Sequence, residues 1–264
     1  MRAGCRVGCG FLRAELYKIT TTRMTYGFAG IAVGLTAMVT AVLSAQAGSS
    51  SMVPSLATAA GLRDIVTNTG FAMLTAAVFG ATVSSGEFRH KTITDTYLDQ
   101  PGRVRVMAAK TIAATVAGTA FGAVAAAAAA GMGVMAASGK GYHVALTGGD
   151  FARYAAGAVL GAALLAGLGA VIGSLISGQI GAVVTVFVWC LAVEQILAGV
   201  SASAARFLPL LGAMTMAGAD SRAGMPPLPD GIHPLPFGAV AAILAAVLAI
   251  LSVIAAHRLD RDIT

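Results

Sequence analysis

The residues able to do chemistry concentrate in one stretch, Gly86 to Lys110. There Glu87, Arg89, Lys91, Asp95, Asp99, Arg103, Arg105 and Lys110 fall between two long apolar runs. Mixed charge at this density, with Phe88, Ile93, Tyr97 and Leu98 among it, has the character of a docking element. Charged groups set register against a soluble partner, and the apolar side chains supply affinity. Lys91 and Asp95 stand four apart, a spacing that supports a short helix. Hydrocarbon cannot solvate such a segment, so if its flanks cross a membrane the stretch stands in water. The residues expected to couple the chain to a partner are Glu87, Phe88, Arg89, Lys91, Thr92, Ile93 and Arg103, in a segment bounded at 86–105.

Other reactive patterns are sparse. Glu194 is the one acid inside an apolar run, near its end, and it reads as a proton relay, or as a structural or vestibule-lining group on the outer side. The chain has no GxxxxGK[ST] phosphate loop, so ATP hydrolysis is expected on a separate subunit. It has no HExxH, no Gly-x-Ser-x-Gly and no carboxylate pair within an apolar run, which argues against intramembrane hydrolysis and against an enzyme. Cys5, Cys9 and Cys190 form no framework, and His143 has no ligand-spaced neighbour, so neither a metal nor a cofactor is expected.

These residues must be positioned by membrane helices. The chain is 57% hydrophobic and only 11% charged, with 33 glycines and a mean hydropathy of +0.83. A soluble domain carries about 25% charged residues. A net charge of +6 and a pI near 9.6 fit Lys- and Arg-rich loops on one side of a membrane. No basic patch with interleaved aromatics points to nucleic acid.

In order, the basic arm 1–25 holds an amphipathic helix over 11–23. Leu12, Leu16 and Ile19 form its apolar stripe, with Arg13, Glu15 and Lys18 turned away and Arg23 leading into the first span. A disordered basic arm is the alternative. The first span, 26–45, is read as a retained helix despite Ala45-Gln46-Ala47, because its apolar run exceeds a signal peptide's about 7–15 residues. A loop follows over 48–64, then the second span (65–85), the polar stretch, the third span (106–137) and a loop (138–150). The fourth span (151–176) carries Gly157 and Gly161, then Gly169 and Gly173, two small-residue pairs suited to close helix contact. The fifth span covers 179–200. Segment 201–236 holds Arg206, Pro209 and five further prolines, and it is expected to form outer re-entrant helices and a loop. The sixth span, 237–256, precedes a polar tail.

The fold class is therefore an all-α polytopic membrane protein, one transmembrane domain over 1–264. Six spans put both termini on one side. Twelve of the 17 lysines and arginines lie on that side, which places the termini and the polar stretch in the cytoplasm.

Three segments, in this order, resemble the permease subunits of ABC-2 type transporters, and the resemblance covers essentially the whole chain. Leu12 to Arg23, containing Glu15 and Lys18, is similar to that family's interfacial connecting helix. Glu87-Phe88-Arg89-His90-Lys91-Thr92-Ile93, with Pro101-Gly102-Arg103 and Lys110, is similar to its E-x-R-x-G-T … P-x-R … K loop and is the most specific of the three. Arg206-Phe207-Leu208-Pro209 after the Glu194 span resembles its outer re-entrant helices. Lys91 stands where the family usually has Gly, which loosens the turn expected there. The resemblance implies a plasma-membrane exporter of amphipathic, lipid-like or drug-like cargo. Its implied partners are an ATP-binding cassette subunit, a second permease copy (homodimer or heterodimer) and membrane lipids. An ion-coupled secondary carrier and a non-transporting scaffold or sensor subunit are the competing classes; no internal repeat supports the first of these.

Overall fold

In a computed structural model of the chain, described over residues 2–49, 54–90, 103–176, 178–219 and 235–261, every regular element among the described residues is helical. The helices are α1 (Arg2–Thr21), α2 (Arg23–Gln46), α3 (Ala59–Val66), α4 (Gly70–His90), α5 (Arg103–Gly139) and α6 (Gly148–Leu175). They continue as α7 (Gln179–Val188), α8 (Glu194–Val200), α9 (Ala202–Ala205), α10 (Pro209–Met216) and α11 (Phe237–Arg261). A π turn, Trp189–Val193, joins α7 to α8 without a break.

Six of the resulting rods are long and apolar enough to cross a membrane: α2, α3 with α4, α5, α6, α7 through α8, and α11. This matches the six apolar runs of the sequence. At 37 residues, α5 is the longest and measures about 55 Å at 1.5 Å per residue, beyond the roughly 30 Å of bilayer hydrocarbon.

The bundle is built around α6, which packs along both α4 and α5. Backbones meet here because side chains are missing. A Cβ placed on Gly80 of α4 would collide with the Ala166 carbonyl of α6, and one on Gly169 of α6 with the Ala77 carbonyl of α4. The two glycines thus clear each other's helix reciprocally. Gly157 and Gly173 likewise face backbone, at Met216 and Ala81, while Gly161 faces the Met73 and Ala213 side chains, so both small-residue pairs of the fourth span lie at helix contacts. Aromatic packing ties the remaining elements in. Phe79 of α4 stands edge-on to Phe28 of α2 at 5.5 Å and to Phe121 of α5 at 5.0 Å. Inside the bundle Thr75, Thr82, Ser85, Thr111 and Thr115 donate their hydroxyls to carbonyls four residues back, which satisfies those groups locally in an apolar surround.

The structure corrects several boundaries. The segment expected as a loop over 48–64 contains most of α3, whose Leu62, Ile65 and Val66 pack with Ala137 at the end of α5. Thr58 caps α3 by accepting from the Gly61 N–H at 3.1 Å. The second crossing is therefore broken at Thr67–Thr69 rather than continuous from Ile65. Helix α1 reaches back to Arg2, well before the expected start at residue 11, and stops at Thr21. Arg23 opens α2 and is exposed, so it lies outside α1. Two loop features hold the end of the bundle far from the N-terminus. Lys140 donates to the Ser44 carbonyl at 2.8 Å at the end of α2, and Thr147 and Asp150 form a reciprocal capping box at the start of α6.

Candidate functional site

Two groups of charged residues are organised by tertiary structure, one at each end of the bundle. The first begins in α1. Leu12, Glu15, Leu16 and Ile19 share one helical face, and the expectation that Glu15 turns away from the apolar stripe is wrong. Its side chain is 2% exposed, beside the buried Ile19. Spacing alone allows this, because positions 12, 15, 16 and 19 form a single stripe. The charge is tolerated because two cations meet it. Lys18 Nζ lies 2.9 Å from Glu15 Oε1, one turn along the same helix. Lys110 Nζ lies 3.5 Å from Glu15 Oε2, ninety-five positions away in α5. Lys110 is itself buried, while Lys18 is more than half exposed. The carboxylate thus fastens α1 to the beginning of the third crossing.

The polar stretch meets the bundle beside this anchor. Glu87, Phe88 and Arg89 are not loop residues: they form part of the last turn of α4, which runs to His90. Arg103 is the first residue of α5. Residues 86–90 and 103–105 therefore extend two spans as helix, because nothing in Glu87–His90 breaks the pattern that precedes it. Lys91, Thr92 and Ile93 lie outside the described residues, as do Tyr97, Leu98 and the remainder of 91–102.

At the opposite end, Glu194 is fully buried at the first position of α8. Its Oε1 accepts from the Leu210 N–H and its Oε2 from the Leu211 N–H, each at 3.0 Å. These N–H groups belong to the first turn of α10, where Pro209 occupies the first helical position and Leu208, the N-cap residue, offers no capping side chain. A carboxylate from another helix does the N-cap's work, and its charge also meets the positive end of the α10 dipole. Both its oxygens are occupied and it is shut away from solvent. The π turn inserts one extra residue just before Glu194, so it changes the angle at which the following residues leave the helix. Arg206 lies in the turn between α9 and α10, its guanidinium 5.2 Å from the Phe207 ring centre.

No group of three or more His, Cys, Asp or Glu suited to a metal occurs among the described residues. Sequence reasoning named Glu15, Lys18 and Lys110 but did not join them, and it missed Gln179, which lies close to this cluster. Compared with models of known protein families and with curated proteins, the chain matches neither.

Proposed function

We propose that the chain is the membrane subunit of an ATP-driven exporter of the ABC-2 type. It lies in the plasma membrane with both termini in the cytoplasm and moves an amphipathic, lipid-like or drug-like cargo outward. The observation that carries this reading is the Glu15–Lys110 connection. It fastens a helix of interfacial composition to the span that follows the polar stretch, and it does so in the stretch's immediate neighbourhood. A pump driven by a separate motor needs such a joint, because force delivered to a cytoplasmic segment must move whole spans rather than deform a loop.

In this account Glu87, Phe88, Arg89, Lys91, Thr92, Ile93 and Arg103 seat in a cleft of an ATP-binding cassette subunit. Closure of two such subunits on nucleotide pulls on α4 and α5, and α1 follows through Glu15. The close-packed α4–α5–α6 group moves as a body because backbones touch at Gly80 and Gly169 between α4 and α6, and at Gly118 and Gly122 between α5 and α6. Cargo passes between this body and a second permease copy. On the outer side, α9 and α10 dip into the membrane as a re-entrant pair closing the pathway, held in place by Glu194. An ion-coupled carrier is disfavoured by the same residue, since a carboxylate satisfied by two backbone N–H groups is built as a cap.

The test is a pair of substitutions in the polar stretch. Truncating an apolar anchor at an interface costs about 2 kcal/mol or more, whereas a rim charge costs little. Phe88→Ala is expected to reduce co-purification with the ATP-binding subunit at least tenfold. Glu87→Ala keeps the complex and its ATP hydrolysis but uncouples hydrolysis from export. Normal binding and export by both variants would make the stretch a solvated loop and remove the proposal's foundation.

A further inference from the structure

Between Gln195 and Ala219 the chain carries a single charged residue, Arg206. It stands six positions past the end of the Gln179–Val200 span, at the level where a membrane span gives way to water. The cap on α10 does not use it. Among the described residues its guanidinium meets no carboxylate and no hydrogen-bond acceptor. Nε is shut away from solvent, while Nη1 and Nη2 reach the surface. The guanidinium carbon lies 5.2 Å from the ring centre of Phe207, a residue that is itself 49% exposed. Exposed apolar side chains lead up to this point along the preceding span: Val184, Leu191, Ile196 and, 82% exposed, Val200.

A cation half removed from water is stabilised by a counter-charge. The nearest acid in the sequence, Glu194, has both oxygens on α10 N–H groups. A guanidinium fork matches the paired oxygens of a phosphodiester, and the exposed ring beneath it is a surface for methylenes. A free anion would use the first and leave the second in water, whereas a phospholipid covers both.

We propose that Arg206 and Phe207 hold the head group of an anionic phospholipid from the leaflet at this end of the bundle. Nη1 and Nη2 donate to the phosphodiester oxygens, and the first acyl methylenes lie on Phe207. One arginine in a segment without acids matches a head group of one net negative charge. A zwitterionic head group brings an ammonium for which residues 195–219 hold no carboxylate. Arg206 is three positions ahead of Pro209, so the bound head group steadies the turn that leads into α10. The inference needs only the six spans and stands whether or not the chain moves cargo.

The experiment uses the full chain in a neutral, phosphate-free detergent, with native mass spectrometry and hydrogen exchange over 206–211 as readouts. Phosphatidylglycerol, phosphatidylcholine and inorganic phosphate are added separately. Phosphatidylglycerol is expected to be retained and to slow exchange at Phe207 and Leu208, whose N–H groups close the turn on Ala204 and Ala205. Arg206→Gln removes the slowing and lowers the apparent affinity by about fivefold or more, as loss of a charge-assisted hydrogen bond at a part-exposed site should. Arg206→Lys, which keeps the charge without the fork, falls between. Arg153→Gln, removing an exposed arginine at the start of α6, leaves both readouts unchanged. Equal protection by phosphatidylcholine or by inorganic phosphate, or protection by phosphatidylglycerol that survives Arg206→Gln, would overturn the proposal.

Discussion

Glu15 and Lys110, ninety-five positions apart, form an ion pair at 3.5 Å in which both side chains are almost completely buried. The pair turns a basic N-terminal helix into a part of the bundle. Removing one partner of a buried pair costs about 3–5 kcal/mol where nothing else compensates the other, and less where a second charge remains, as Lys18 does beside Glu15; replacing both by apolar residues is often neutral. Lys110→Met and Glu15→Leu are each expected to lower Tm markedly in detergent, and the double variant to recover most of the loss. Additive losses in the double variant would mean that the two residues act separately.

The cap on α10 gives a prediction that separates structure from proton transfer. Glu194→Gln keeps one acceptor oxygen but turns an amide NH₂ toward the Leu210 or Leu211 N–H, losing a charge-assisted bond worth about 1.5–3 kcal/mol. Faster hydrogen exchange at Leu210 and Leu211 is expected, with the pH dependence of any transport unchanged. A shifted pH profile with normal exchange protection would restore the proton-relay reading.

Close backbone approach makes the glycines unequal. Gly169→Val drives a branched side chain into the Ala77 carbonyl and is expected to destabilise by about 1–3 kcal/mol or more. Gly34→Val, where a Cβ would meet nothing within 4 Å, serves as the control and is expected to leave Tm nearly unchanged. Similar Tm losses at the two positions would show that the α4–α6 contact is not the tight one.

Much of the architecture was legible in the sequence because apolar runs of span length have few alternatives once charge is this scarce. The glycines four apart in α6 announced a close contact, though not that Gly80 would answer from α4. Helix α3 was hidden because eight residues carry too little periodicity to stand out beside Ser49, Ser50 and Pro54. Glu15 was misjudged for a different reason: a lone acid on an amphipathic helix faces water unless a distant cation claims it, and Lys110 is invisible to local pattern. Pro209 and Glu194 were nearer to being readable, since a proline at the first helical position leaves the next N–H groups in need of an acceptor. The π turn that precedes Glu194 left no mark in the residue pattern.

Orientation can be checked on a cysteine-free background. A cysteine at Tyr142, in the exposed turn between α5 and α6, is expected to react with a membrane-impermeant thiol reagent from outside intact cells. One at Thr20, exposed on α1, is expected to react only after the cells are opened. The reverse pattern would invert the topology that the lysine and arginine distribution implies.

The central claim is that an ATP-binding subunit, separate from this chain, drives it through the polar stretch. The most direct measurement isolates the chain from its native membrane in mild detergent, reconstitutes it in vesicles and follows ATP hydrolysis and outward transport together. The account predicts a stoichiometric partner carrying a phosphate-binding loop. It also predicts hydrolysis that rises with cargo, and loss of both activities when this chain is reconstituted alone. Transport by the chain alone under an imposed ion gradient, with no added nucleotide, would contradict it.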